Sequence, residues 1–295
     1  MTVVPHAARA RAAALALVLA LLGAVFAMAP AAHAAPPKRI VALTPFTANT
    51  LVQLGVKPIA IGQTLGGKDR IDPRLKGVPT LTLTHPNGPN LEKLATANPQ
   101  LVLSSPTWNK GHAAMKSLGI KVEVSEPRSV DAVAAETIRI GKIVGKEAAA
   151  RQLAAKVQQG IAGATKGITK RPKVLVILAV GRSPFAMLAN SWGGDVVRRA
   201  GGELLTQGLK AGGGFARISN ETVVERNPDI IIAVPHGNPD DLGKLATYLQ
   251  TNPAWATTNA ARNKKIFVST GNSLLQPWTD VGRTIRDVRS KFLAN

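Results

Sequence analysis

Outside the first 34 residues the chain carries three histidines, His85, His112 and His236, and these are its best transition-metal ligands, joined by Tyr248, Met115 and Met187. His85 lies in Leu83-Thr84-His85-Pro86-Asn87-Gly88-Pro89-Asn90, a Pro/Gly-rich loop ahead of a predicted helix, so it belongs at an edge and not in a core. His236 lies in Val234-Pro235-His236-Gly237-Asn238-Pro239, directly after an apolar strand, and open α/β sheets bind ligands beyond the carboxyl ends of their strands. A solvated or turn-forming role is the alternative for either loop histidine. His112, on a predicted helix beside Lys110, is expected at the surface, and Met115 and Met187 are expected as core filler. With no Cys in the chain, a disulfide framework, a thiolate metal site, a Cys nucleophile and a lipid-anchored Cys are all excluded.

Catalytic signatures are missing. The chain has no G-x-S-x-G elbow, no H-E-x-x-H and no phosphate-binding G-x-x-x-x-G-K-[ST], and Gly212-Gly213-Gly214 lacks dinucleotide-fingerprint spacing and reads as a flexible loop. The residues point to binding and not to an enzyme. Glu92 falls in the first turn of a helix capped by Asn90, and Glu221 does the same after Ser219, so each carboxylate complements a helix N-terminus. A second reading is that the pair docks onto cations of a partner.

The elements that must position these residues alternate at α/β spacing. The first series is Arg39–Leu43 (strand), a helix ending at Leu54-Gly55, Pro58–Ile61, Asn90–Asn98 (helix), Leu101–Ser104, Trp108–Leu118 (helix) and Ile120–Val124. The second opens with Lys173–Ala179, a continuous apolar run typical of a strand buried on both faces. It continues with helices near Asp195–Ala200 and over Ser219–Arg226, and with strand Asp229–Val234. Helices near Pro239–Leu249 and Pro253–Ala261, strand Lys265–Val268 and helix Asp280–Leu293 complete it. Between the series Leu153, Val157, Ile161, Ala164 and Ile168 form one apolar stripe on a helix starting near Lys146, long enough at ~33 Å to bridge two lobes. A crossover helix inside one larger domain is the alternative. The expected architecture is therefore α/β: two Rossmann-like lobes, 38–126 and 171–295, bridged by a single long helix within a connecting segment 127–170.

Arg9 and Arg11 precede an apolar run from Ala12 to Ala29, closed by Pro30 and followed by the small-x-small pattern Ala32-His33-Ala34, which reads as a cleavable signal peptide over residues 1–34. Its removal leaves 35 basic against 17 acidic residues, a net charge of +18. The basic residues are spread along the chain without a long block or aromatic interleaving, so nucleic acid is not the expected partner. The expected product is extracytoplasmic, monomeric and not lipid-anchored.

Arg39–Gly55 (RIVALTPFTANTLVQLG), Asn90–Ser104 (NLEKLATANPQLVLS), Ser191–Gly202 (SWGGDVVRRAGG) and Ile218–Ala233 (ISNETVVERNPDIIIA) resemble the substrate-binding proteins that deliver iron chelates, heme or cobalamin to ABC importers. The resemblance runs from about Lys38 to the chain end. It implies two lobes joined by one helix, cargo in the cleft between them, and docking of Glu92 and Glu221 onto arginines of a permease dimer driven by a cytoplasmic ATPase. Asn227–Phe267 is most similar to the heme-transporting members, whose axial His falls at His236. Their second ligand, a Met in N-P-M-x-P-x-x-E, falls at Asn87, a poor iron ligand, and His85 two residues earlier is the expected replacement. Thr44, Pro45, Trp108, Trp192 and Trp278, with the cations Arg182, Arg217 and Lys68, are expected to line the cleft. A ferric siderophore, held by aromatic walls and cations with no protein ligand to iron, is the alternative cargo, and cobalamin a further one.

Overall fold

The computed structural model describes residues 35–63, 71–181, 183–210, 212–236, 242–269 and 271–294. The proposed signal peptide, Lys68 and Arg182 lie outside them. Strands β1 (Ile40–Ala42), β2 (Ala60–Gly62) and β3 (Thr80–Leu81) come first, and β4 (Leu83–Thr84) and β5 (Gly88–Pro89) form a separate hairpin. β6 (Leu101–Ser104) and β7 (Lys121–Val124) complete a parallel sheet of order β3-β2-β1-β6-β7. The second sheet contains β8 (Lys173–Val180), β9 (Ser183–Met187), β10 (Glu203–Leu204), β11 (Phe215–Arg217), β12 (Ile230–His236) and β13 (Ile266–Val268). Its order is β11-β9-β8-β12-β13, with β10 also pairing β8. β8, β10, β12 and β13 pair in parallel, whereas β9 pairs antiparallel with both β8 and β11.

Helices α1 (Pro45–Gln53), α2 (Leu91–Thr96), α3 (Asn109–Ser117) and α4 (Ala132–Ile143) accompany the first sheet. α5 (Glu147–Thr165) follows, and α6 (Trp192–Arg199), α7 (Asn220–Arg226), α8 (Leu242–Gln250), α9 (Asn259–Arg262) and α10 (Val281–Val288) accompany the second sheet. The segment expected as a helix over Pro253–Ala261 is instead a 3-10 turn, Pro253–Trp255, followed by the short α9, because Thr258 caps a new helix there by accepting from Ala261 N. The terminal helix leaves α geometry at Arg289 for a π turn, Arg289–Leu293.

Strands read as continuous apolar runs are buried on both faces: Ile230–Val234 and Val174–Ile177 are each at most 1% exposed. One apolar cluster extends from β1 and α1 through Val130, Ile140, Ala150 and Val157 to Val174, Val196 and Ile285, and further clusters cover the other face of each sheet. Residues 37–295 thus form one compact unit containing both sheets.

The apolar stripe reappears on α5, which packs along α4 and along α10. At 19 residues the helix is ~28 Å long. Ile168 is a correction: it lies three residues past the helix end, against Gly201, because the chain turns at Gly167 with φ +69°. Contact between α5 and α10 requires glycine. A Cβ on Gly282 would stand 2.6 Å from the backbone of Gly160. Gly282→Ala should therefore force the helices apart and cost about 1–3 kcal/mol, read as a lower Tm of the purified protein. An unchanged Tm would show that the crossing yields freely.

Polar contacts also tie the halves together. Asp195, 2% exposed in the first turn of α6, accepts from Val130 N at 2.8 Å and from Arg198 Nη2 at 2.5 Å, while Thr50 and Thr279 hydroxyls meet at 2.9 Å. Arg199 additionally pairs with Asp131. Asp195→Ala strands a buried N–H and removes a charge-assisted bond, so a loss of about 2–3 kcal/mol is expected in denaturant unfolding.

Candidate functional site

The carboxyl ends of the parallel strands face a common cleft. After β1 comes Thr44, which caps α1 through a reciprocal box with Thr47. After β6 comes Ser105, which caps the turn Pro106–Trp108, and after β7 come Glu126 and Arg128. From the second sheet His236 ends β12, opposite Val180 of β8. The shorter β13 pairs only Ile231–Ala233, so Pro235 has β8 as its strand neighbour and breaks no ladder on the open side. Asn190–Trp192, Gly213–Phe215 and Leu275–Pro277 complete the second wall. The half-open cleft between these walls measures about 800 Å³, within the range of cofactor sites.

Both His85 and His236 line this cavity, one from each sheet's side. His85, in the turn of the β4–β5 hairpin, packs edge-on to Trp108 with ring centroids 6.2 Å apart. Trp108 is 3% exposed and its indole N–H has no hydrogen-bond partner among the described residues. Trp192 lines the opposite wall, fixed by Nε1 donating to Ser273 O at 2.9 Å. His236 is half-buried, and burial, reinforced by the nearby His85, pushes its pKa below the ordinary histidine value. Its imidazole is therefore neutral and free to ligate at and somewhat below neutral pH.

Of the other residues expected in the cleft, Thr44 is on the wall, but Pro45, Asn87, Arg217 and Trp278 are not. Pro45 is the buried first residue of α1, one step beyond Thr44. Trp278 turns into the core at 2% exposure and leaves its neighbour Pro277 to face the cavity. Asn87 has its carbonyl against Gly111 of α3, where a Cβ would come within 1.8 Å. Arg217 is exposed at the end of β11. The cation on the described wall is instead Arg128, which sequence reasoning missed together with Glu126 and Ser105.

The Ser105 hydroxyl, 1% exposed as a residue, donates to Glu126 Oε2. Burial pushes the Glu126 pKa above the usual glutamate value, while Ser105 and the Arg128 charge oppose the shift in part. Arg128 is exposed and makes no ion pair within 4 Å among the described residues. The glycine turn is a wall element: Gly214 (φ +91°) approaches Ser191 so closely that a Cβ would lie 3.0 Å from it.

His112 corrects the expectation of surface exposure. It is half-buried, with Nε2 2.9 Å from the buried Ser104 hydroxyl, and burial first, then Lys116, pushes its pKa down. Met115 and Met187 are core residues at 0% and 1% exposure, and Tyr248 packs against the second sheet's cluster. Glu92 and Glu221 are exposed in the first turns of α2 and α7, whose caps Asn90 and Ser219 accept from Lys93 N and Thr222 N. Neighbouring Ser219 and backbone hydrogen bonding pull the Glu221 pKa below the ordinary value, so it is fully charged at neutral pH.

Among known proteins, the Staphylococcus aureus high-affinity heme uptake system protein IsdE is 26% identical over 226 residues, 71% of this chain and 76% of that one. A cobalamin-binding protein of Halobacterium salinarum is 25% identical over 247 residues, 82% of this chain; the chain spans only 65% of that relative's length. The crystal structure of S. aureus IsdE complexed with heme superposes with a TM-score of 0.73 at 23% identity, covering 86% of this chain and 98% of that one, which establishes the two-lobed α/β fold. No helix among the described residues is long and apolar enough to cross a membrane. The family model for periplasmic binding proteins matches residues 40–272, and the chain belongs to that family of binding proteins, not enzymes.

Proposed function

We propose that the protein is the extracytoplasmic binding component of an ABC importer, exported by a cleaved signal over residues 1–34, and that its cargo is heme. The observation that carries the cargo assignment is the pair His85 and His236 on opposite walls of one aromatic-lined cavity. Two imidazoles give a free metal ion too few ligands, but they suit an iron whose four equatorial positions are already filled by a porphyrin. Trp108 and Trp192 contribute apolar atoms to the walls that would flank the macrocycle, and Arg128 a positive charge for its carboxylates. The heme-uptake relative supports the same assignment. In this reading the lobe boundaries fall near residues 126 and 171, and α5, wedged between α4 and α10, connects lobes that close only slightly around the cargo. Loaded protein docks on the permease through Glu92 and Glu221.

A ferric siderophore is the second reading, favoured by the same tryptophans and Arg128, and it leaves both histidines without work. Trp108 and Trp192 provide the test. Titration of the chain lacking residues 1–34 with hemin, a ferric trihydroxamate and cyanocobalamin should show saturable one-to-one quenching of tryptophan fluorescence by hemin, with much weaker quenching by the others. Saturation by the hydroxamate or the cobalamin, without hemin binding, would reassign the cargo and leave the importer role in place.

A further inference from the structure

Glu126 is a carboxylate at the wall of a cavity that, in the reading above, receives an anionic guest. Its anchoring is one-sided. Oε2 accepts from the Ser105 hydroxyl, and Oε1 accepts no hydrogen bond among the described residues. Arg128, two residues on, lines the same cavity and is close enough to influence Glu126, yet the two do not form an ion pair within 4 Å. The other titratable groups on the described wall are His85 and His236. Behind the segment, Glu123 and Glu136 are occupied with Arg139 at 3.3 and 2.6 Å, and Ser125 donates to Glu136 at 2.7 Å, so that cluster is closed on itself.

A carboxylate brought to this wall meets one cation and one acid. If Glu126 were ionised, two anions would compete for Arg128 in a site that water only partly screens. If Glu126 carries a proton, the oxygen not held by Ser105 can donate to the guest, and Arg128 serves the guest alone. We propose that Ser105, Glu126 and Arg128 form a carboxylate-receiving subsite in which a cargo carboxylate pairs with Arg128 and accepts a hydrogen bond from the acid form of Glu126 Oε1. The balance is one proton taken from solvent by Glu126 for each carboxylate seated, with no covalent step. Burial already moves Glu126 toward the protonated form in the empty protein, and the guest's charge moves it further. Cargo affinity must then fall as pH rises between the two values, by up to about tenfold per pH unit for one linked proton.

This inference rests on the heme reading, and the experiment separates the two. Hemin and hemin dimethyl ester, which lacks both free carboxylates, are titrated by absorbance into the chain lacking residues 1–34, wild type and Glu126→Gln, between pH 5.5 and 8. The glutamine keeps a hydrogen-bond donor but cannot titrate. For hemin, the ratio of wild-type to E126Q affinity should fall at least fivefold over this interval; for the dimethyl ester it should be flat. Taking the ratio cancels the opposite pH dependence of the histidines, present in both proteins. A hemin ratio that is flat or rises with pH, or an equal slope with the ester, overturns the subsite alone. Absence of any hemin complex in wild type overturns the heme reading and this inference with it. E126Q should melt no lower than wild type, because the neutral amide carries no charge to desolvate and its carbonyl oxygen still accepts from the Ser105 hydroxyl.

Discussion

His236→Ala should lower the affinity for hemin by about 100-fold or more, ~3 kcal/mol, with the Soret band moved toward that of free hemin. Groups that merely orient a metal ligand cost 10–100-fold when lost, so removing the ligand itself sets a larger floor. The alanine leaves the strand intact, because His236 is the last residue of β12 and its register is held upstream by six pairs with β8. His85→Ala should cost less, since His85 sits in the turn of the short β4–β5 hairpin, beside Trp108, and not at the end of a buried central strand. The pH dependence has a definite sign. Because burial and His85 lower the pKa of His236, the neutral, ligating imidazole persists below the ordinary histidine range, and its iron bond should be lost only as pH falls through that depressed value. The same shift works on folding: any stability linked to the neutral ring is present above the unfolded pKa and lost as pH falls through the folded one. In a His85→Ala background, where His236 is the remaining imidazole on the described wall, binding of the dimethyl ester should therefore be nearly level from pH 8 to 6.5. A midpoint at or above the ordinary histidine value would contradict the buried, neutral ring.

Reversing charge at both carboxylates proposed to dock, Glu92→Lys with Glu221→Lys, should abolish cargo uptake in cells and leave hemin affinity in solution within about twofold. Both side chains are exposed and neither lines the cavity, so neither fold nor cleft depends on them beyond a weak, solvent-screened helix-end effect. At a partner's arginines the same reversal replaces attraction by like-charge repulsion, which costs several kcal/mol per site. One reversal alone should give partial uptake, because the docking reading uses one contact per lobe. Hemin affinity lost together with uptake would mean that these carboxylates act on the cargo.

The long apolar strands were legible because burial on both faces leaves a continuous run, as in Lys173–Ala179. His236 was legible as a site because it closes the run Ile230–Val234, where a parallel sheet opens its binding crevice. Glu126 and Arg128 gave no such signal. They follow β7, a four-residue edge strand of mixed polarity, and only its parallel pairing with β6 brings them beside Ser105. β9 and β11 escaped for a related reason: they are short, antiparallel, and contain Pro184 and Arg217. Pro45 and Trp278 show the limit of reading a wall from residue type. Each is adjacent to a true wall residue, but a helix start at one and a core-filling indole at the other turn the side chain away. Arg217 is a cation of the right kind in the wrong place, and Arg128 takes the position expected of it.

The electron paramagnetic resonance spectrum of the ferric hemin complex at pH 7.5 tests the central claim most directly, because it reports the number and kind of axial ligands. Iron held between His85 and His236 predicts a low-spin signal of the bis-imidazole type in wild type, converting to high spin in both His85→Ala and His236→Ala. A high-spin wild-type signal, or a low-spin signal that survives either substitution, would contradict a cleft that grips its cargo with one imidazole from each wall.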